Sequence, residues 1–280
     1  MTLAIGCVAE PTAKYLDQAE RLLQSWRWFA GRYANADFHV CVVGDVAARD
    51  RARYEKYGAH VRGVSRFSAR HAASNKLRFL ELAEARDAER VVLLDCDTIV
   101  VQEPEELFQG EPLIAKMADV ATVPTAVLHR IFAEFGVPPP PASCRCTVSD
   151  EPTIPYFNAG VLSFSSRAVK ELVPEWIRCN RMLIERIDML GERQGFCEQA
   201  SLSVAVAVTG TPFTALDNRL NFPAHFQDRP VTSPLGQTDP TIIHYHWLVD
   251  DQGRLQGSPY PNVNRRIEAF NDRVAAERRV

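Results

Sequence analysis

Two aspartates, Asp95 and Asp97, follow the apolar segment RVVLL and precede a second apolar segment, TIVV. Residues two apart in a β-strand point to the same side, so we expect the two carboxylates to converge on one spot. Two carboxylates that leave water together repel each other, and a divalent cation between them would offset that cost. An Asp-x-Asp triplet arises by chance about once in a chain of this length. The apolar context is therefore what makes the triplet a candidate metal site.

Two histidines, His244 and His246, lie in the segment PTIIHYHW, which is predicted to be a late strand. Their spacing places both rings on one face of that strand. A histidine that merely packs in the strand is the alternative interpretation.

Strand and helix patterns alternate through the first half of the chain. The apolar segments LAIGCVA, DFHVCVV, AHVRGV and VVLLD are predicted as strands, and the segments between them as helices, including one over residues 75–85. This alternation predicts an α/β fold with a mainly parallel sheet covered by helices on both faces. Ligands bind beyond the carboxyl ends of the strands in such sheets, and Asp95 lies at such an end.

The second half of the chain is less regular. Residues 124–155 are predicted to contain a short helix and then a proline-rich stretch without regular structure, which forms a lid or a wrapping loop. FNAGVLSFS resumes a strand, and helices are predicted over residues 167–187 and 198–207. The chain ends in an amphipathic helix with the apolar residues Val263, Ile267, Phe270 and Val274.

Composition and charge argue against some classes of protein. The chain has 280 residues, of which 32 are basic and 35 acidic, so its charge gives no argument for a nucleic-acid partner. The apolar runs are far shorter than the roughly 20 residues of a membrane helix. We therefore expect no transmembrane segment and a cytoplasmic location. Cys144 and Cys146, the one close pair of cysteines, lack the spacing of a zinc knuckle.

The central segment resembles the signature of GT-A fold nucleotide-sugar glycosyltransferases in its residues NKLRFLELAEARDAERVVLLDCDTIVVQEPEELF. It is most similar to glycosyltransferase family eight, which includes glycogenin and lipopolysaccharide galactosyltransferases. Five further blocks resemble that family in the same order: IAKMAD, YFNAGVLSF, GFCEQASLSVAV, LDNRLNFP and IIHYH. The resemblance implies a GT-A (Rossmann-like) α/β fold, with a mainly parallel mixed sheet flanked by helices. It also implies a metal-dependent retaining hexosyltransferase that moves a sugar from a UDP-sugar to an unknown acceptor.

The resemblance also implies roles for individual residues. The implied metal ligands are Asp95, Asp97 and His244. His246 points to the same strand face and is the rival ligand, but the family match favours His244. The implied ion is Mn²⁺ or Mg²⁺, and two carboxylates with one imidazole suit Mn²⁺ better, because nitrogen ligation favours the softer ion. The implied contacts of the nucleotide-sugar donor are Val8, Ala9, Glu10, Tyr15, Asn75, Lys76, Cys96, Asp119, Asn158 and Ala159. Those before residue 16 surround the uracil and ribose, those at 75 and 76 contact phosphate, the Cys96 backbone contacts the ribose, and those at 158 and 159 line the sugar pocket.

Glu198 and Gln199 are the implied catalytic residues, because the matching family pair touches the transferred sugar near its reacting carbon. A glutamine oxygen is a poor nucleophile but can stabilise an oxocarbenium-like centre. This favours a front-face retaining mechanism, in which the leaving phosphate accepts the proton of the acceptor, over a covalent double displacement.

Two departures from the family pattern affect the predicted site. Glu198 stands where the family usually has aspartate, and the extra methylene changes the shape of the sugar pocket. After His244 the chain lacks the glycine and the lysine that the family usually has there. The cation expected on the pyrophosphate must therefore come from elsewhere, and His246 and Arg254 are the candidates.

We expect one GT-A domain over residues 1–280, with a nucleotide-binding half (1–101), an acceptor and sugar half (102–247) and a C-terminal helical extension (248–280). A sugar-1-phosphate nucleotidylyltransferase is one alternative, but it needs a glycine-rich phosphate loop, which VAEPTAKYL lacks. A non-catalytic nucleotide-sugar-binding protein is the other, and the intact metal ligands argue against it. The sequence leaves open the sugar, the acceptor (a saccharide, a lipid-linked or a small molecule) and the oligomeric state.

Overall fold

The computed structural model describes residues 1–277 and 279, and strands alternate with helices through the first half of the chain as predicted. The strands are β1 (Leu3–Ala9), β2 (Asp37–Val43), β3 (His60–Val64), β4 (Arg90–Leu94), β5 (Thr98–Val100), β6 (Leu113–Met117), β7 (Cys144–Arg145), β8 (Pro152–Thr153), β9 (Phe157–Ser165), β10 (Phe213–Leu216), β11 (Phe222–Pro223) and β12 (Ile242–His244). The helices are α1 (Ala13–Phe29), α2 (Ala48–Glu55), α3 (Leu77–Leu80), α4 (Ala83–Asp87), α5 (Thr125–Glu134), α6 (Ser166–Glu185), α7 (Cys197–Thr209) and α8 (Pro261–Glu277).

The central sheet has seven strands in the order β10-β6-β9-β4-β1-β2-β3. Strand β9 runs antiparallel to its neighbours β4 and β6, and the other neighbouring pairs are parallel. This confirms the predicted mainly parallel mixed sheet. The N–H of Asp95 donates to the carbonyl of Gly160 at 2.8 Å, just beyond the last paired residues of β4 and β9. Asp95 therefore stands where β4 leaves the sheet.

Helices cover both faces of this sheet because each turns an apolar side towards it. Helices α1 and α2 pack on one face, and α3 to α7 pack on the other. Trp26 of α1 and Trp176 of α6 are fully buried on these two sides. Within the part of the chain that the structure describes, each helix is too short or too polar to span a bilayer.

A small second sheet, in the order β11-β12-β5, brings the C-terminal histidines to the aspartates. Strand β12 runs antiparallel to β5 and pairs His244 with Thr98. Since Asp97 directly precedes Thr98, this register sets His244 beside Asp97. The N–H of Tyr245 also donates to the Asp97 carbonyl at 2.9 Å. Helix α8 packs on this sheet through the predicted residues Val263, Ile267, Phe270 and Val274.

The prediction of one helix over residues 75–85 is wrong. A 3₁₀ helix (Ala72–Lys76) leads into the short α3, and Leu82 is extended before α4 begins. The apolar residues of this segment, at positions 77, 79, 80 and 82, are too closely spaced to share one helical face. The chain therefore breaks to place them in the core.

The prediction that the proline-rich stretch has no regular structure is also wrong. Strands β7 and β8 pair antiparallel within it, and the N–H of Cys146 donates to the Glu151 carbonyl at 2.9 Å. The Arg145 guanidinium donates to both oxygens of Asp150, at 2.5 and 2.9 Å, and closes the turn. Backbone pairing across this tight turn was not evident from composition.

Candidate active site

Asp95 and Asp97 lie between two cavities and contribute to the lining of both. The small cavity, of about 190 Å³, is also lined by Val8, Glu10, Tyr15, Gln18, Ala72, Ala73, Asn75, Lys76 and Cys96. The large cavity, of about 400 Å³, is also lined by Asp119, Asn158, Phe196, Gln199, His225, Phe226, His244, His246 and Trp247. Six of the predicted donor-binding residues thus line the small cavity and two, Asp119 and Asn158, line the large one. The other two, Ala9 and Ala159, are fully buried and line neither cavity.

The wall of the small cavity is organised around Glu10. Its carboxylate accepts two hydrogen bonds from the Arg66 guanidinium, at 3.0 and 2.7 Å, and one from Asn75 Nδ2 at 2.5 Å. Asn75 Oδ1 in turn accepts from the Phe67 N–H at 2.6 Å. These contacts fix both polar side chains. Tyr15 is 40% exposed and leaves part of its ring open to a ligand.

Two of the predicted donor positions near the small cavity turn their side chains into the core. Ala9 is fully buried among the residues under α1. The Cys96 thiol donates to the Val8 carbonyl at 3.3 Å. Its hydrogen bond with Cys7, together with burial, raises the pKa of Cys96 well above the usual value. Cys96 therefore stays a protonated thiol, and a ligand would meet the backbone at these two positions.

Lys76 is the buried cation beside the aspartates. Its ammonium lies 2.6 Å from Asp95 Oδ1, donates to the Ala159 carbonyl at 3.2 Å and lies 3.9 Å from Glu198 Oε1. Burial alone would lower the pKa of Lys76, but the charges of Asp95 and Glu198 raise it above the usual value. Lys76 is therefore protonated and already neutralises Asp95.

Glu198 lies behind the large cavity. The residue is 3% exposed, and Oε2 lies 3.6 Å from His71 Nε2 with no hydrogen-bond partner among the described residues. Burial raises the pKa of Glu198. Gln199, the next residue of α7, lines the large cavity. Of the predicted catalytic pair, Gln199 is thus within reach of a ligand, whereas Glu198 faces Lys76 and His71.

Asp97, His244 and His246 form a cluster that can hold a metal ion. Asp97 Oδ1 lies 3.0 Å from His244 Nε2, and Oδ2 lies 3.6 Å from His246 Nδ1. Burial alone would raise the pKa of Asp97, but the two histidines hold it well below its usual range. Burial would likewise lower the pKa of His244, but Asp97 raises it. Asp97 thus favours the protonated form of His244, and a bound cation would displace that proton.

A series of amide side chains fixes the orientation of the His244 ring. The Gly160 N–H donates to Asn158 Oδ1 at 2.9 Å, so Asn158 presents an acceptor to Asn221, whose Nδ2 donates to it at 3.0 Å. Asn221 therefore turns Oδ1 towards His244 Nδ1, 3.1 Å away. The Gly160 N–H can only donate, and this fixes the direction of each hydrogen bond that follows. Nδ1 of His244 must therefore carry the hydrogen that Asn221 Oδ1 accepts. Nε2 then offers its lone pair to a metal ion.

Gly160 leaves room for the same ring. A Cβ atom at this position would lie 2.7 Å from both Cε1 and Nδ1 of His244, and 3.1 Å from Asn158 Oδ1. The first distance is shorter than van der Waals contact allows. The φ angle of Gly160 is not in the left-handed region, so glycine is needed here for space rather than for backbone conformation.

Asp119 is built into the wall of the large cavity. Its Oδ1 pairs with the buried Lys116 ammonium, and its Oδ2 accepts from Asn158 Nδ2 at 2.9 Å. Burial alone would raise the pKa of Asp119, but Lys116 holds it below the usual value. The carboxylate is therefore ionised and fully engaged, and it anchors Asn158.

Several residues of this site were not predicted from the sequence, among them Arg66, His71, Asn221 and His225. Asn221 lies in the LDNRLNFP block, which is a signal that could have identified it, whereas the other three lie outside any recognisable motif. Burial lowers the pKa of His225 to about 4, so its ring is neutral. The predicted cation Arg254 lies in an exposed turn, where its N–H donates to Asp250 at 2.8 Å, and it lines neither cavity.

One protein family matches this chain. The Rhodobacterales glycosyltransferase domain matches residues 39–210, which is more than half of the sequence. The chain belongs to this glycosyltransferase family. The enzyme class predicted from the sequence is thereby confirmed. No curated protein shows significant sequence similarity to this glycosyltransferase.

Solved glycosyltransferase structures share the fold of this glycosyltransferase at low sequence identity. Galactosyltransferase LgtC, in complex with donor and acceptor sugar analogues, matches with a TM-score of 0.62 at 16% identity over 96% of this chain and 95% of LgtC. GlyE of Streptococcus pneumoniae TIGR4 matches with 0.54 at 14% identity, over 99% of this chain and 65% of GlyE. Mouse xyloside xylosyltransferase 1 matches with 0.53 at 14% identity, over 88% of this chain and 98% of that enzyme. These likenesses confirm the predicted GT-A fold.

Proposed function

We propose that this glycosyltransferase transfers a sugar from a UDP-sugar to an acceptor with retention of configuration. The observation that carries the proposal is the position of Asp95 and Asp97 between two cavities. A nucleotide sugar carries its diphosphate between nucleoside and sugar. It would therefore place the nucleoside in the small cavity, the sugar in the large cavity and the diphosphate over the aspartates. The negative charge of the diphosphate requires cations at that point.

The small cavity has the groups that a uridine needs. The exposed ring of Tyr15 offers a stacking surface, and Glu10 and Asn75 hold fixed polar groups beside it. The backbone of Val8, Ala9 and Cys96 is proposed to complete the contacts with base and ribose. On the other side, Asn158 and the segment at Ala159 are proposed to contact the sugar.

The proposed metal ligands are Asp95, Asp97 and His244, and these donors fit Mn²⁺ better than Mg²⁺. The amide series supports this fit, because it keeps a hydrogen on Nδ1 of His244. Loss of the Nε2 proton then leaves a lone pair beside Asp97 Oδ1, 3.0 Å away, where a cation can replace that proton. When bound, the cation neutralises charge on the leaving diphosphate. We propose that Lys76 leaves Asp95 and pairs with the diphosphate when the donor binds. Lys76 would then take the place of the lysine that the C-terminal motif lacks, and Asp95 would become available to the metal ion.

Retention is proposed to proceed by front-face transfer, because neither of the other carboxylates at the large cavity is free to attack the sugar. Asp119 is engaged by Lys116 and Asn158, and Glu198 is buried behind Lys76. As the bond between the anomeric carbon and the phosphate oxygen breaks, the acceptor oxygen bonds to that carbon from the same face. The acceptor proton passes to the phosphate oxygen. The amide oxygen of Gln199 stabilises the positive charge that develops on the sugar.

The acceptor is proposed to enter the large cavity, next to the loops at 138–155 and 223–240, and is a saccharide, a lipid-linked sugar or a small molecule. We propose that the nucleotide-binding half comprises residues 1–101 and that the acceptor and sugar half comprises residues 102–247. The C-terminal helical extension would then comprise residues 248–280. A cytoplasmic location stays a prediction.

Release of UDP from UDP-sugars, measured with and without Mn²⁺, tests the proposed function. UDP-galactose is the first donor to test, because LgtC is a galactosyltransferase. We expect release to require the metal and to fall about 100-fold or more in Asp97→Asn. Asp87→Asn, an exposed position on α4, is the matched control and should behave as wild type. Full activity of Asp97→Asn, or a product with inverted configuration by NMR, would contradict the proposal.

A further inference from the structure

We propose that His246 is a ligand of the divalent cation, and that Asp97, His244 and His246 bind this ion before any nucleotide arrives. The inference rests on the metal dependence proposed above and adds a ligand to that site. It also gives a specific reason why the C-terminal motif of this chain carries a histidine at position 246.

The geometry of the three side chains supports a shared ion. Each oxygen of Asp97 faces a different ring, one at 3.0 Å from His244 Nε2 and the other at 3.6 Å from His246 Nδ1. One donor atom from each residue lies within 4.8 Å of the other two. Ligands bound at about 2.1 Å from an ion lie at most about 4.2 Å apart, so small side-chain movements suffice.

The backbone is shaped to bring His246 into this position. Strand β12 ends at His244, and His246 has a positive φ of +55°. Among the described residues, Asp150 is the other non-glycine residue with a positive φ. Such a conformation is unfavourable for a residue with a Cβ and is often found at functional sites. Gln18 Nε2 holds the turn by donating to the His246 carbonyl at 3.1 Å. As a result, the rings of His244 and His246 stack with centroids 3.8 Å apart.

Asp95 is in a different state from Asp97. The ammonium of Lys76, 2.6 Å away, already neutralises Asp95, whereas the oxygens of Asp97 face the two histidines. Without a nucleotide, Lys76 has no phosphate to turn to. The ligands that can accept a cation at this stage are therefore those of Asp97, His244 and His246, and Asp95 can join once the diphosphate has engaged Lys76.

This donor set also determines which ions bind. One carboxylate and two imidazoles suit Mn²⁺, Fe²⁺, Co²⁺ or Zn²⁺, whereas Mg²⁺ strongly prefers oxygen ligands. With His246 as a ligand, the nucleotide-free protein should discriminate against Mg²⁺ more strongly than a site with a single histidine.

Titration of the nucleotide-free protein with Co²⁺, followed by calorimetry and by the visible absorption of the ion, tests this inference. We expect one Co²⁺ per chain, no heat with Mg²⁺, and an affinity for Co²⁺ at least about tenfold weaker in His246→Gln, with shifted absorption bands. His129→Gln, an exposed position on α5, is the matched control and should bind as wild type. Thermal unfolding without metal checks that each variant is folded.

Two outcomes would overturn the inference: wild-type affinity and spectrum in His246→Gln, or no Co²⁺ binding to the wild-type protein without nucleotide. A parallel titration with UDP present separates the two proposals. If the wild-type protein binds metal with UDP, and His246→Gln does so equally well, His246 is not a ligand but the metal dependence stands. If no cation binds with or without UDP, the proposed metal dependence fails as well.

Discussion

Replacing Asn221 by alanine should weaken metal binding although no ligand is removed. Asn221 is 1% exposed, accepts from His244 Nδ1 and donates to Asn158 Oδ1. In the variant, Asn158 Oδ1 still accepts from the Gly160 N–H, whereas the N–H at Nδ1 of His244 loses its acceptor. Leaving this buried donor without a partner costs about 1–3 kcal/mol of stability. Loss of the outer hydrogen bond of a metal-binding histidine lowers metal affinity about 10–100-fold, or about 1.4–2.7 kcal/mol.

Calorimetric titration with Co²⁺ measures the affinity of Asn221→Ala, and urea unfolding measures its stability. Asn180→Ala is the matched control, because Asn180 is also fully buried and donates to Ser201 at 3.0 Å, on the α6–α7 side of the molecule. The control should lose stability and keep wild-type metal affinity. If Asn221→Ala binds Co²⁺ as tightly as wild type, the amide series does not orient His244 and the reasoning is refuted.

Two further predictions concern buried ionisable groups. Glu198→Gln removes a buried carboxylate 3.9 Å from the Lys76 ammonium, so Lys76 is held less firmly where it would meet the diphosphate. We expect the KM for the donor to rise about tenfold, or about 1.4 kcal/mol, with a smaller change in kcat. Initial-rate kinetics separate KM from kcat, and an unchanged KM would show that Glu198 does not support donor binding through Lys76. His39 is 2% exposed, and burial, together with the nearby His60, lowers its pKa. As the pH falls below about 6.5, the unfolded chain binds a proton that the folded state disfavours, so stability should fall by up to about 1.4 kcal/mol per pH unit. Urea unfolding between about pH 7.5 and about pH 5.5 measures this pH dependence of the free energy of unfolding, and His39→Phe should reduce it. A pH dependence equal to that of wild type would show that His39 does not contribute.

The parts of the site that follow from local periodicity could be predicted from the sequence. The sequence predicts Asp95 and Asp97 at the end of β4, because the apolar run defines the strand. Their spacing of two puts both side chains on the same side of it. The position of His244 beside Asp97 depends on the antiparallel register of β12 with β5, more than 140 residues apart in sequence. No local pattern encodes that pairing, and only the resemblance to a family pointed to it.

The contacts that support the site could not be predicted in the same way. Arg66 reaches Glu10, and His71 approaches Glu198, from segments whose composition is ordinary for exposed loops. Lys76 was expected at a phosphate, and its ion pair with Asp95 became visible only in the folded chain. Such contacts join residues from separate elements, so they depend on tertiary packing rather than on spacing along the chain.

The missing side chain at Gly160 has a consequence for the evolution of this family. A methyl group there would overlap the ring of His244, so alanine at 160 and histidine at 244 are incompatible in this backbone. A side chain at position 160 would force the His244 ring to shift away from its place beside Asp97. Substitutions at these two positions should therefore be correlated among homologues, and a relative with a bulky residue at 160 should have lost the histidine.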